Sequence, residues 1–388
     1  MFRKCYLKFC YPTCKQLERY SRIVVIFFIE KLLPNFNSFR FFGVPAGWKT
    51  IASQKVFESG EYPSKSPFSL EPISHPNFEV DKYEWHEEKI ALLPDGIQTS
   101  TAASITADGY LAREFTEQFT MKREYMHKLF TFKKERFLAK FPHFDSTVAS
   151  LVADCHSNYY HWLFDVLPKF HLLQQTSLSI YQYYAQTALS FQRDSLSLLG
   201  VERIIPAEEH PVISASTLVV ATFPCRMGIP MWVCNFLRGR FPPGKAKRRL
   251  FISRRDASVR RIVNEEECAP ILERFGFETI VPGQLSFEEQ MAHFRDAEII
   301  LAPHGAGLSN LVFAPESAKV VEIYSPRSTC ICFWRLSNLL GMPYYYFRGV
   351  NDPSTYAATE PAHDHIRVDL GKLERTLEMA TKSSAFCL

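Results

Sequence analysis

The chain has 388 residues, 46% of them hydrophobic and 22% charged, with a net charge of +4 and a pI near 8.4. It is long for one core and reads as a soluble globular protein with enough apolar material for two domains. The charge is too mild to indicate nucleic acid, and ten cysteines without a repeated CxxC spacing argue against a zinc ribbon or a disulfide framework and favour a reducing compartment.

Residues 1–40 are basic and aromatic. Their apolar run, Ile23 to Ile29, is too short to span a bilayer and lacks the small-residue cleavage site of a secretory signal, so the expectation is a cytoplasmic protein without export. Arg3, Lys4, Lys8, Lys15, Arg19 and Arg22 beside that run fit peripheral contact with the anionic cytoplasmic face of a membrane; a helix docked on the protein itself fits equally well. Residues 41–100, rich in Pro, Ser, Glu and aromatics, show no sustained period and predict irregular structure leading into strands such as Lys89 to Leu93.

Farther along, Thr147 to Ala153 reads as a strand that feeds a helix opened by Ser157 or Asn158. A strand running into a polar helix start is a good position for an active site. A helix over Ala185 to Leu199 and strands at Arg203 to Ile205 and Ser216 to Thr222 complete an alternating pattern, which predicts an α/β domain with a parallel sheet. Phe241-Pro242-Pro243-Gly244-Lys245 is the linker, which divides the chain into 41–241 and 245–365. Beyond it come a strand ending in Arg254 and Arg255, a helix from Glu265 to Phe275, a strand from Phe277 to Val281 and a helix beginning at Ser286. The tail, 366–388, places Leu370, Leu373 and Leu377 on one helical face that packs back.

The stretch Ala297 to Tyr324 reads as strand, glycine turn, helix and strand. Its turn, His304-Gly305-Ala306-Gly307, can take φ values that a side chain forbids, and the amides of the following helix start, with Leu308 on its apolar face, suit a phosphate. Gly305-x-Gly307-x-x-Asn310, followed by Glu322 at a strand end, nearly reproduces a dinucleotide fingerprint, with Asn310 in place of the third glycine. Glu322 could accept ribose hydroxyls or serve as a cap or ion-pair partner. Arg254, Arg255 and Asn264 belong to the same domain, where parallel strands present their C-terminal ends to one crevice; only one of the adjacent arginines is expected to reach a ligand. His161 and Asp165, four apart, share a helical face as candidate acid–base groups, with His156 in the turn before them. Cys155, His156, His161 and Asp165 are all metal-ligand types, but no second ligand pair accompanies them, so no metal is expected. Tyr159, Tyr160 and Trp162 are either core or a stacking surface for a sugar.

Three blocks in this order, Asn158 to Asp165, Ser253-Arg254-Arg255 through Arg261 to Glu265, and His304 to Asn310, resemble glycosyltransferase family 61 from about Asp154 to Tyr346. The resemblance implies an α/β, GT-B-like architecture of two Rossmann-like domains facing a cleft. The N-terminal domain would be the acceptor side, with His156, Asn158 and Trp162, and the C-terminal one would bind the nucleotide sugar. It also implies inverting transfer of a sugar from a nucleotide diphosphate sugar, UDP-linked by preference, to a glycan or glycoconjugate, without a cofactor or bound metal, in surface polysaccharide biosynthesis. Asp165 is then the preferred base and His161 the orienting group, while Arg254, Arg255, Asn264, His304, Gly305, Ala306, Gly307, Leu308, Asn310 and Glu322 would hold the donor. A dinucleotide-dependent oxidoreductase and a non-catalytic nucleotide- or glycan-binding protein are the alternatives.

Overall fold

The computed structural model describes residues 48–70, 78, 82–116, 141–225, 228–358 and 360–382. The basic segment 1–40, with the membrane contact proposed for it, lies outside the described residues. Among the described residues no helix is long and apolar enough to cross a membrane.

The first sheet has nine strands. Its centre is built from β1 (Glu88–Thr99), β2 (His143–Ser150), β3 (Gln182–Ala185), β4 (Ile204–Pro206) and β5 (Val212–Ala221). Val148, Ala149, Leu218, Val219 and Val220 are all buried, as near-continuous apolar runs are when both faces of a sheet are covered. Strand β5 runs parallel to β2, which continues in parallel to β3 and β4. On its other side β5 pairs antiparallel with β1 from Val212 opposite Thr99 to Ala221 opposite Ile90. The expected parallel sheet is therefore mixed: β1 comes from a stretch without the strand-helix alternation that makes parallel crossovers. The expected irregularity of residues 41–100 also needs correction. Gln54–Phe57 pairs with β1, and Gly60–Pro63 forms a hairpin ladder with Lys82–Trp85. That ladder carries cross-strand aromatic contacts, with Tyr62 and Tyr83 ring centroids 5.2 Å apart, a stabilisation that hydrophobic periodicity does not reveal.

After β2 the chain enters α1 (Tyr159–His161), one π-helical turn (Trp162–Val166) and α2 (Leu167–Leu173). Asn158 caps the start, its side chain accepting from the Tyr160 amide. Pro168 explains the π turn: it has no N–H to give the Phe164 carbonyl, so the regular ladder cannot pass through it. Next come α3 (Ser190–Leu198), which starts later than its expected Ala185 because Gln182–Ala185 is strand β3, and α4 (Met231–Arg240). Phe241 to Lys245 is irregular, as its prolines predict.

The second sheet contains β6 (Arg248–Ile252), β7 (Phe277–Ile280), β8 (Ala297–Pro303), β9 (Lys319–Tyr324) and β10 (Tyr344–Arg348), with helices α5 (Glu265–Arg274), α6 (Phe287–Arg295), α7 (Cys332–Leu339) and α8 (Leu370–Lys382). All its pairings are parallel, in the order β7-β6-β8-β9-β10. Ser286 opens α6 with a capping box to Glu289. Leu373, Leu377 and Ala380 of α8 join Phe251, Ile299 and Val321 in the core.

One apolar cluster runs through both sheets, containing Val148 and Trp162 as well as Leu250, Ile300 and Phe313. Arg238 at the end of α4 donates to the Val312 carbonyl at 3.0 Å and the Ala314 carbonyl at 2.6 Å, joining the two halves.

Candidate active site

The strand order of the second sheet reverses between β6 and β8, and ligands of open α/β sheets bind beyond the strand ends at such a point. A cavity of about 270 Å³ lies there, lined by Ser253 and Arg254 after β6, Pro282 and Gly283 after β7, and Gly305, Gly307 and Leu308 after β8. Tyr159 and Phe191 from the first half close its other side. The Tyr159 hydroxyl donates to Asn310 Oδ1 at 2.7 Å, which ties the wall to the glycine turn.

Arg254 lies against Gly305: a Cβ at Gly305 would overlap Arg254 Nη1 and stand 2.8 Å from its Cζ. This close approach, not an unusual φ, accounts for the glycine, because Gly305 has an extended φ of 167° and Gly307 meets only ordinary contacts. The following helix, Ala306–Phe313, is of the 3-10 type, not α, and so brings a tighter turn than expected. Gly305→Ala should push the guanidinium aside, weakening binding of any anion that Arg254 holds ~10-fold or more by calorimetry while changing stability by less than ~1 kcal/mol.

Burial pulls the Arg254 guanidinium down to about 10, with Arg260 repelling it and Asp256 opposing that effect. Burial also lowers Arg260, against the pull of Cys330, Cys332 and Glu322. Both Nε atoms are buried without a hydrogen-bond partner, and among the described residues neither arginine has a carboxylate at ion-pair distance. Arg254 Nη2 donates to the Val259 carbonyl at 3.3 Å, which fixes the side chain without neutralising it. Arg260 has φ +57°, a left-handed conformation uncommon outside glycine, which turns the chain inward. Two neighbouring half-buried cations, neither of them in a close ion pair, favour an anion that joins them.

His161 Nδ1 lies 2.8 Å from Asp165 Oδ2, and Asp165 Oδ1 accepts the Cys225 amide at 3.0 Å. Asp165 is only 5% exposed and both its oxygens are occupied, so it holds an imidazole and is poorly placed to receive a substrate proton. Tyr160 meets Phe333 edge-to-face and Phe333 packs at a tilt against His304, linking this helix to the glycine turn.

Several expected contacts take other places. Glu322 is fully buried: Oε1 meets His304 Nδ1 at 2.5 Å, and Oε2 accepts from Tyr344 with the Tyr324 hydroxyl 3.1 Å away, so it is closed to a ribose. Asn310 is buried between Tyr159, Gln290 and the Gly307 carbonyl. Asn264 pins the backbone of Val368 through both side-chain atoms, which accounts for its burial. Arg255 points to solvent, leaving Arg254 as the arginine of that pair on the cavity. Trp162 is wholly buried with its indole N–H on Ser195 at 2.8 Å, which makes it core and not an acceptor contact. His156 bonds Gln192 at 3.1 Å, and burial lowers its pKa. Asn158 is the helix cap. Tyr159, from the Asn158 to Asp165 block, lines the cavity together with Phe191, which no sequence motif marks; Arg260 lies behind Arg254, and only the density of arginines after β6 points to it.

Burial lowers His304, but the Glu322 carboxylate and a bond with Cys330 outweigh it and raise its pKa to about 9. The folded pKa lies above the ordinary 6.5, so the pair contributes fully below about pH 6.5 and is lost as pH rises through about 9. His304→Gln should therefore flatten a decline in melting temperature between these limits, worth on the order of 3 kcal/mol in the parent.

A parallel sheet with an arginine-lined crevice at its switch point defines a class of α/β protein suited to phosphate-bearing ligands. Residues 159–321 match the family Glycosyltransferase 61. It is 32% identical over 106 residues to the EGF domain-specific O-linked N-acetylglucosamine transferase of Drosophila melanogaster, covering 26% of this chain and 20% of that protein. The mouse protein of the same name is 32% identical over 111 residues, covering 27% and 21%. The beta-1,2-xylosyltransferase XAX1 of Oryza sativa subsp. japonica is 35% identical over 102 residues, covering 26% and 17%. The matched region thus spans about a fifth of the length of these relatives.

Proposed function

We propose that the protein is an inverting, metal-independent glycosyltransferase of GT-B-like design, moving a sugar from a nucleotide diphosphate sugar to a glycan or glycoconjugate. The observation that carries this reading is Arg254, a half-buried guanidinium held against Gly305 with its Nε unpartnered and a second cation, Arg260, near enough to repel it. A pyrophosphate would neutralise both, and the same contacts would stabilise the charge that develops on the departing nucleotide diphosphate. Tyr159 and Phe191 would wall the donor, and the amides of Ala306 and Gly307, which precede the first N–H bonded within the helix, that of Leu308 to the Gly305 carbonyl, would add donors to the phosphate.

In this mechanism His161, held by Asp165, accepts the proton of the acceptor hydroxyl as its oxygen attacks the anomeric carbon from the face opposite the leaving group. The C–O bond to the nucleotide diphosphate breaks as the new glycosidic bond forms. The base and orienting roles are thus the reverse of those preferred from sequence. The names of the relatives include transfer of N-acetylglucosamine and of xylose, so UDP sugars are the donors to try first. Surface polysaccharide is one acceptor class among the glycoconjugates to test, and the cytoplasmic, membrane-peripheral setting belongs to the same proposal.

The test is a thermal-shift and donor-hydrolysis panel of UDP, GDP and CMP sugars with EDTA. Stabilisation and slow hydrolysis of one nucleotide diphosphate sugar in EDTA are expected; stabilisation by NAD alone would oppose the reading. The buried Glu322 already removes the ribose-binding carboxylate on which the dinucleotide alternative rested.

A further inference from the structure

Cys330 and Cys332 flank the start of α7, outside the residues assigned to donor or acceptor. Their sulfurs are 3.6 Å apart, and the Cys330 carbonyl accepts the Tyr324 hydroxyl at 3.0 Å, which holds the turn. Cys330 is exposed just before the helix; Cys332 is the first helical residue and lies deeper. His304 faces them, its ring nitrogen and both sulfurs lying within 4.8 Å of one another. Arg260 adds a second cation, while Glu322 opposes both. We propose that Cys330 and Cys332 form a reversible thiol–disulfide site, with Cys330 the attacking thiolate and Cys332 the resolving thiol.

A thiolate at a helix start, beside cations and open to solvent, is the reactive form of cysteine. The Cys332 thiol, with His304 next, overcomes burial and holds Cys330 down at about 4. Cys234 and Cys268, by contrast, are buried and pushed up to about 12 by that burial. With a peroxide as oxidant, the Cys330 thiolate attacks one peroxide oxygen, the O–O bond breaks, and the products are Cys330 sulfenic acid and hydroxide. The Cys332 sulfur then displaces the sulfenic oxygen, which leaves as water with the thiol proton, and the S–S bond forms. The sulfurs are already near the separation from which this second step can proceed, and no other chain is required.

Ser328 to Arg335 forms one tryptic peptide that contains both cysteines and no others. After treatment of the full-length protein with hydrogen peroxide, followed by alkylation and digestion, this peptide should lose two hydrogens, and dithiothreitol should reverse the loss. In Cys332→Ser the reaction should stop at a sulfenic acid on Cys330 that dimedone traps. With iodoacetamide at pH 6, Cys330 should react roughly tenfold faster or more than Cys234 and Cys268. An unoxidised peptide, or oxidation of Cys332 alone, would overturn the proposal. So would stoichiometric zinc released from the untreated protein with both thiols shielded until chelation, since His304, Cys330 and Cys332 would then be metal ligands.

Discussion

Arg254→Ala is expected to reduce glycosyl transfer by roughly 100-fold or more while leaving the protein as stable as the parent or slightly more so. The two halves of this expectation have one cause. In the unliganded protein Arg254 is a desolvated cation beside another cation, its Nε without a partner, so its removal relieves repulsion. In the complex the same group would make charge-assisted bonds worth about 1.5–3 kcal/mol each, and two such bonds account for the loss. Arg260→Ala should act in the same direction. Arg255→Ala, at an exposed position, should change transfer less than about twofold. Melting curves and turnover measured on the same preparations check all three variants.

The second large effect concerns His161 and Asp165. His161→Ala should lower turnover by about 10²–10⁴-fold with donor affinity unchanged, because the base acts on the acceptor and not on the pyrophosphate. Asp165→Asn should also lower turnover, through loss of the carboxylate that fixes the imidazole, and it should disturb the loop at Cys225, whose amide Asp165 accepts. If Asp165 were the base, His161→Ala would retain much of the activity. Single-turnover rates at saturating donor, together with donor dissociation constants, separate the two assignments.

The second sheet is legible in the sequence because its strands are apolar runs cut off by their own punctuation: Pro303 at the end of β8 with Gly305 beyond it, and the arginines after β6. The crevice comes from parallel order alone, and with it Arg254, Gly305 and Leu308. The features that escape a sequence reading depend on contacts distant in the chain. Glu322 looks like a ribose ligand by spacing, and only the packing of His304, Tyr324 and Tyr344 shows that both oxygens are engaged. Trp162 is adjacent to His161, and helical period does not say which of the two faces the core. The π turn before Pro168 rotates that helix locally, so a regular helical wheel misplaces the residues of α2. Arg260 is hidden because its left-handed backbone and its place beside Arg254 and Cys330 cannot be read in a loop that looks solvated. The antiparallel β1 escapes because strand pairing is not a local property.

In the proposed mechanism a nucleotide diphosphate sits on Arg254 at the Gly305 turn without a metal. Calorimetric titration of UDP and GDP into the full-length protein in EDTA tests it most directly. Saturable one-to-one binding of one of them in EDTA is expected, lost in Arg254→Ala. Binding that appears only with added magnesium or manganese, or that survives unchanged in Arg254→Ala, would contradict it.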